Sequence, residues 1–87
     1  MTFYKVELKK SAEKALFKLP KPIIGKVINL LQELSTDPRP NGCKKLTGAN
    51  NTYRVRVGDY RILYSILDDV LIIDVIKIGH RKEIYKH

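Results

Sequence analysis

The chain has 87 residues, with 17 lysines and arginines against nine aspartates and glutamates, a formal net charge of +8. This length predicts one domain, residues 1–87, that buries roughly 60% of its unfolded surface without disulfides. The lone Cys43 excludes an internal disulfide, and no long apolar run or signal sequence is present, which predicts a cytoplasmic protein without membrane contact. The charge predicts a polyanionic partner, nucleic acid first and a membrane surface second. No basic amphipathic helix supports the membrane, and an acidic protein is a further alternative.

The first third of the chain predicts one strand and two helices. Residues 4–8 alternate between apolar and charged side chains, as in a half-buried strand. Ser11 is a suitable N-cap for the first helix, and Pro20 ends it. Pro22 fits the first turn of a second helix, whose apolar residues keep helical spacing as far as Leu34. The two helices form a hairpin whose apolar stripe is expected to pack on a sheet.

Turn-forming residues dominate positions 35–42 and end the second helix. Cys43 follows without a second cysteine or a histidine at metal-ligand spacing, which predicts an inert thiol. Lys44 and Lys45 come next and are expected on the surface, just upstream of the following strand.

Residues 53–64 predict a β-hairpin with two faces of opposite chemistry. Gly58-Asp59 suits a two-residue type I′ or II′ turn, and that turn length places Arg56 opposite Arg61. Arg54 shares their face, whereas the other face carries Tyr53, Val55, Val57, Tyr60, Ile62 and Tyr64. Like charges that lie directly opposite destabilise a hairpin, and an anion between them would remove that cost. The arginine face therefore predicts a phosphate site, with a solvated outer face as the alternative.

A nearly continuous β-branched run at residues 70–78 predicts a central strand covered on both faces. Its internal acid, Asp74, is expected to have a structural role. Gly79 is expected to end the strand, and residues 80–87 to form a short polar tail or one helical turn. The predicted fold class is therefore α+β: an N-terminal strand, a helical hairpin and a mostly antiparallel sheet of about four strands.

The sequence has no Gly-rich phosphate loop, metal-ligand cluster or Ser/His/Asp pattern, so no cofactor and no metal are expected. RNA cleavage fits what remains, because the 2′-hydroxyl of the substrate supplies the nucleophile and arginines stabilise charge on the phosphoryl oxygens. Histidine suits proton transfer near neutral pH, whereas a tyrosine needs neighbouring cations to lower its pKa. The alternative for His80 is a structural histidine that is hydrogen-bonded to the backbone. The alternative for Tyr85 is an aromatic side chain that covers the edge of the sheet. The candidate residues are Arg54, Arg56, Arg61, His80, Arg81 and Tyr85.

Three segments, following a strand and a helical hairpin, together resemble the RelE-type toxins of type II toxin–antitoxin modules, in the RelE/ParE superfamily. They are residues 44–48 (KKLTG), 53–64 (YRVRVGDYRILY) and 79–85 (GHRKEIY). The resemblance covers essentially the whole chain. It implies a ribosome-dependent endoribonuclease that cuts messenger RNA in the A site and inhibits translation. Its implied partners are the ribosome, messenger RNA and a cognate antitoxin.

The resemblance also implies an active site, with two lysines that contact RNA phosphates. Family members commonly carry lysines on the first hairpin strand where this chain has arginines, and an arginine cannot act as a general base. Proton transfer would then fall to the histidine or the tyrosine of the tail. The implied catalytic residues are Arg54, Arg56, Arg61, Arg81 and Tyr85, with His80 added for proton transfer, and the implied RNA-binding residues are Lys44 and Lys45.

Two alternatives stay open within the same superfamily. One is a ParE-like poison of DNA gyrase that is not a nuclease, and the other is an inactive relative that binds RNA or antitoxin. The presence of both Arg81 and Tyr85 favours the nuclease, since the resemblance associates this tail chemistry with RNA cleavage rather than with gyrase poisons.

Overall fold

The computed structural model describes residues 3–48 and 50–84 as one strand, two helices and four further strands. These are β1 Lys5–Leu8, α1 Lys10–Phe17, α2 Lys21–Leu34, β2 Lys44–Lys45, β3 Thr52–Val57, β4 Tyr60–Leu67 and β5 Ile72–His80. They form one sheet in the order β1-β5-β4-β3-β2. Only β1 and β5 run parallel, and the other neighbours are antiparallel. The predicted α+β fold is confirmed, and the sheet has five strands because the lysine pair at its edge joins it.

The helical hairpin forms as predicted, apart from its first cap. Lys9 is the N-cap of α1, so the prediction that Ser11 caps the helix is wrong, and Ser11 lies within the first turn. Both prolines have the predicted positions. Pro20 is the N-cap of α2, and Pro22 lies in its first turn, where an amide N–H has no intrahelical partner to lose.

The helices cover one face of the sheet and form the core with it. The buried apolar residues from both layers are Ala12, Leu16, Val27, Leu31, Leu34, Val55, Ile62, Tyr64, Ile66, Ile73, Val75 and Ile78. Asp74 has the expected structural role, because its carboxylate lies 3.3 Å from Nζ of Lys9 and ties β5 to the end of β1. Across the described ranges, neither helix is long and apolar enough to cross a membrane.

An irregularity in β5 changes which face its residues occupy. The pairing register with β4 shifts between Leu63 and Tyr64, which leaves Ile76 as the extra residue of a bulge. Val75 before the bulge and Ile78 after it are both buried against the helices. The prediction that β5 is covered on both faces is wrong, because its other residues are only half-buried.

The turn before β5 is longer than the sequence predicts. Val70 and Leu71 belong to the turn, and Leu71 has a left-handed backbone with φ of 56°. The carbonyl of Leu71 accepts the N–H of Lys5 at 2.8 Å, which begins the pairing of β1 with β5. At its other end β5 continues through Gly79 to His80, so the strand does not end at the glycine.

Candidate functional site

The hairpin of β3 and β4 has the register that its two-residue turn predicts. Gly58 has φ of 59° and Asp59 has a negative φ, which is the type II′ combination. Arg56 pairs directly with Arg61. Arg54, two residues earlier on β3, therefore points from the same side of the sheet. The three arginines share the face that the helices leave open, as predicted.

Arg61 is held by the hairpin turn. One terminal nitrogen of its guanidinium donates to the carbonyl oxygens of Gly58 and Tyr60, both at 3.0 Å. These partial negative charges offset part of the repulsion from Arg56. A guanidinium has two further nitrogen atoms with which to bind an anion. The turn thus orients Arg61 and leaves it the capacity to bind a phosphate.

The segment after β5 folds back over the arginine face. The N–H of Arg81 donates to the carbonyl of Asp59 at 2.8 Å, and Nε of Arg81 lies 3.6 Å from a carboxylate oxygen of Asp59. Ile84, which is 2% exposed, packs over Gly79, where an added Cβ would lie 3.4 Å from Cδ1 of Ile84. Because Gly79 pairs with Arg61, this contact lies on the arginine side of the sheet. Both contacts place Arg81 beside the hairpin.

The hairpin and the tail enclose an open cavity of about 460 Å³, here called the cationic cleft. Within residues 3–48 and 50–84, no carboxylate lies within ion-pair distance of the three hairpin arginines. One of them, Arg54, is only 8% exposed. Gathering and partly burying like charges without counter-ions is unfavourable, so the cleft is suited to a polyanion. Its lining residues are Arg54, Arg56, Arg61, Arg81 and Lys82.

The structure does not bring His80 into the cationic cleft. His80 pairs with Tyr60, so its ring lies on the side of the sheet opposite Arg61. The His80 and Tyr60 rings meet edge to face with centroids 5.5 Å apart. Nδ1 of His80 accepts the backbone N–H of Lys82 at 3.1 Å. These contacts are structural, and the other candidate for proton transfer, Tyr85, lies outside the described residues.

The two lysines of β2 lie on opposite faces of the sheet. Lys44 pairs with Arg54 and shares the arginine side, next to the cationic cleft. Lys45 pairs with Tyr53 and therefore belongs to the helix side. Of the two lysines predicted to contact RNA, the structure brings only Lys44 near the arginines.

Sequence reasoning missed two members of the site. Lys82 lines the cleft and directly follows Arg81 in the sequence. Two consecutive cations at the end of a strand are the sequence feature that indicates this position. The sequence predicts only a turn position for Asp59, whereas the structure shows this acid paired with Arg81. Among the residues described, no group of three or more His, Cys, Asp or Glu could hold a metal ion.

Several pKa values are shifted in a structural cluster away from the cleft. The Tyr4 hydroxyl donates to Asp68 at 2.6 Å, and Arg39 donates to the same carboxylate at 3.0 Å. The hydrogen bond from Tyr4, followed by that from Arg39, lowers the pKa of Asp68. Burial raises the pKa of Tyr64, whose hydroxyl donates to the carbonyl of Pro38 at 2.8 Å. This cluster fastens the loop after α2 to the sheet.

Comparison with known proteins supports a single family. The model of the family described as the ParE toxin of type II toxin-antitoxin system, parDE, matches residues 6–85. A relative from Methanocaldococcus jannaschii that bears the toxin name RelE1 is 37% identical over 87 residues, which cover 97% of each chain. The toxin RelG of Mycobacterium tuberculosis is 31% identical over 84 residues, which cover 95% of this chain and 97% of RelG.

Solved structures agree with the sequence relatives. A chain of the archaeal RelE-RelB complex from Pyrococcus horikoshii has a TM-score of 0.83 at 33% identity, covering 95% of this chain and 99% of that chain. A chain of the toxin-antitoxin complex RelBE2 from Mycobacterium tuberculosis has a TM-score of 0.79 at 30% identity, covering 92% of this chain and 100% of that chain. This chain therefore belongs to the RelE/ParE superfamily of type II toxins and, within it, to the RelE-type toxins.

Proposed function

We propose that this toxin is a ribosome-dependent endoribonuclease that cuts messenger RNA in the A site. The observation that carries the proposal is the cationic cleft, in which four arginines and Lys82 surround a single cavity. Guanidinium groups match phosphate oxygens and keep their charge at any working pH. The membership in the RelE-type toxins supplies the substrate class.

The proposed reaction needs no nucleophile from the protein. The 2′-hydroxyl of the substrate gives its proton to a base and its oxygen attacks the adjacent phosphorus. The bond from phosphorus to the 5′-oxygen breaks and that oxygen takes a proton from water, which leaves a 2′,3′-cyclic phosphate and a 5′-hydroxyl. Arg56 and Arg61 hold the phosphoryl oxygens from two neighbouring strands, and Arg81 approaches from the tail. Preorganised cations act on the charge that develops in the transition state without reorganising during the reaction. No metal is part of this proposal.

Proton transfer is assigned to Tyr85. His80 is the less suitable group, because it lies on the opposite side of the sheet from Arg61 and accepts a backbone N–H at Nδ1. Tyr85 follows Ile84, which packs over the arginine side of the sheet. Nearby guanidinium groups favour the phenolate form of a tyrosine, so the cleft is an environment in which a tyrosine can accept a proton.

The proposed partners are the ribosome with its messenger RNA and a cognate antitoxin. Two matched structures are complexes of a toxin with its antitoxin. We propose that an acidic antitoxin segment, helical or extended, covers the cationic cleft or displaces the tail. A complex that resists high salt and leaves Arg61 accessible to chemical modification would contradict the first of these arrangements.

A second candidate function is poisoning of DNA gyrase. The matching family model is named after ParE, and the superfamily resemblance associates ParE-like members with gyrase. Arg81 and Lys82 in the cleft favour the nuclease, because gyrase binding does not require cations converging on one anion-binding cavity. The third alternative, an inactive relative, would bind RNA or antitoxin without cutting RNA.

One paired assay separates these functions. The toxin is added to a translating extract that contains labelled messenger RNA, and separately to gyrase with relaxed plasmid. The proposal expects shortened RNA and unchanged supercoiling, with cleavage lost in Arg61→Ala and Arg81→Ala. Blocked supercoiling with intact RNA would support the gyrase poison, and no effect in either assay would support the inactive relative.

A further inference from the structure

A second cavity of about 270 Å³ adjoins the cationic cleft on the β2 side. We propose that it is a phosphate subsite for the nucleotide next to the one that reacts, so that the toxin holds two consecutive phosphates of single-stranded RNA. This inference rests on the proposed function. The residues that line the second cavity are Asn41, Gly42, Lys44, Arg54, Val55 and Arg56.

The two cavities are neighbours that share two side chains. Arg54 and Arg56 line both. They are two residues apart on β3 and point from one face, which separates their Cα atoms by about 6.7 Å. Arg56 lies in one row of cross-strand partners with Arg61, and Arg54 lies in the next row with Lys44. An RNA strand that runs from the tail toward β2 would thus meet one shared arginine in each row. The surface is a groove across the strands rather than a single phosphate cradle.

The sheet places a second like-charged pair beside the first. Lys44 lies directly opposite Arg54, just as Arg56 lies directly opposite Arg61. Directly opposite like charges are unfavourable in the free protein. In the described part of the chain, neither Lys44 nor Arg54 has a carboxylate within ion-pair distance. One phosphate can bind between the members of each pair and reduce their repulsion, and two adjacent pairs therefore fit two phosphates.

The loop before β2 closes the end of the second cavity. The N–H of Cys43 donates to the carbonyl of Pro40 at 3.1 Å, and Gly42 has φ of 91°, which together form a type II turn. This turn holds Asn41 at the rim of the cavity, where its amide can hydrogen-bond a sugar or a base edge. The charge of the subsite is carried by Lys44 and Arg54.

The test uses 2′-O-methyl oligoribonucleotides, which the toxin cannot cut because they lack the nucleophile. Fluorescence anisotropy gives Kd for a dinucleotide with one phosphodiester and for a hexanucleotide, each at several salt concentrations. The variants are Lys44→Ala and Lys45→Ala. They remove the same charge from the same exposed strand, but Lys45 lies on the other face. Thermal unfolding checks that both variants fold.

The subsite predicts that Lys44→Ala raises the Kd of the hexanucleotide roughly three- to tenfold and reduces its salt slope by about 0.7. The dinucleotide Kd should stay unchanged, and Lys45→Ala should bind both probes like the wild type. Equal hexanucleotide binding by the wild type and both variants, with Arg61→Ala still weakened, would overturn the subsite and leave the proposed function standing. Binding of neither probe by the wild type would also overturn the subsite, whereas the proposed function is tested separately by cleavage in the translating extract.

Discussion

Arg56 and Arg61 lie directly opposite each other on β3 and β4, and no carboxylate of residues 3–48 and 50–84 lies within ion-pair distance of either. A folded hairpin gains nothing from this arrangement. The arginine pair stabilises the hairpin only when an anion binds both side chains. We therefore interpret the pair as a cost in stability that is retained for phosphate binding. Functional sites often lower the stability of a protein in this way.

Arg56→Gln should stabilise the free toxin and weaken its binding to RNA. The substitution removes the cross-strand repulsion, and we expect a gain of about 0.5 kcal/mol in the free energy of unfolding at low salt. The gain should shrink as salt screens the charges. Urea unfolding at two salt concentrations measures it, and Lys45→Gln on the opposite face is the matched control. A less stable Arg56→Gln protein would contradict the interpretation.

Gly79→Val should disturb the cationic cleft more than Gly79→Ala. A single Cβ at this position would lie 3.4 Å from Cδ1 of Ile84, which is an ordinary contact. The γ-methyl groups of valine would push Ile84 away and release the turn that carries Arg81. We expect near-normal RNA cleavage from the alanine variant and a loss of at least tenfold from the valine variant. Equal activity in both would show that the Ile84 contact does not position Arg81.

Asp59→Asn should raise the affinity for RNA. It removes the carboxylate that competes with phosphate for Arg81, while the backbone hydrogen bond from Arg81 to the carbonyl of residue 59 is kept. The side chains of Asp59 and Arg81 are 70% and 55% exposed, so the change in stability should be small. Anisotropy with an uncleavable oligoribonucleotide measures the affinity. Weaker binding would mean that the ion pair orients Arg81 instead of competing for it.

Stability should fall in acid because of Asp68. The hydrogen bonds from Tyr4 and Arg39 lower its pKa in the folded state, so the folded protein binds fewer protons than the unfolded chain. The contribution of this group is therefore complete above about pH 4 and is lost as pH falls through the lowered pKa. Urea unfolding between pH 6 and pH 2.5 should show a shallower acid decline in Asp68→Asn than in the wild type. An unchanged profile would contradict the assignment.

The hairpin could be predicted from sequence because its determinants are local. A two-residue Gly58-Asp59 turn fixes the pairing of Arg56 with Arg61, and period-2 alternation fixes the faces. The two prolines likewise marked the boundary between the helices. Local rules of this kind gave the fold class and the arginine face.

The remaining features depend on contacts that are distant in sequence. The two-residue strand β2 has no pattern to detect and exists only through its pairing with β3. The bulge in β5 reverses the alternation after Ile76, and the register beyond it sends His80 to the helix side. The sequence places His80 next to Arg81 along the chain, and this proximity predicts the wrong side of the sheet for His80. Gly79 pairs with Arg61, so the next residue, His80, points to the opposite side of the sheet.

The most direct test of the central claim is to map the 5′ ends of a messenger RNA incubated with this toxin, with and without translating ribosomes. Arg61→Ala is the matched variant, since it removes a cleft arginine while the opposite Arg56 is kept. A ribosome-dependent nuclease should give new 5′ ends at codon positions only when ribosomes translate, and none with Arg61→Ala. Intact RNA under both conditions, or cuts that persist unchanged in Arg61→Ala, would contradict it.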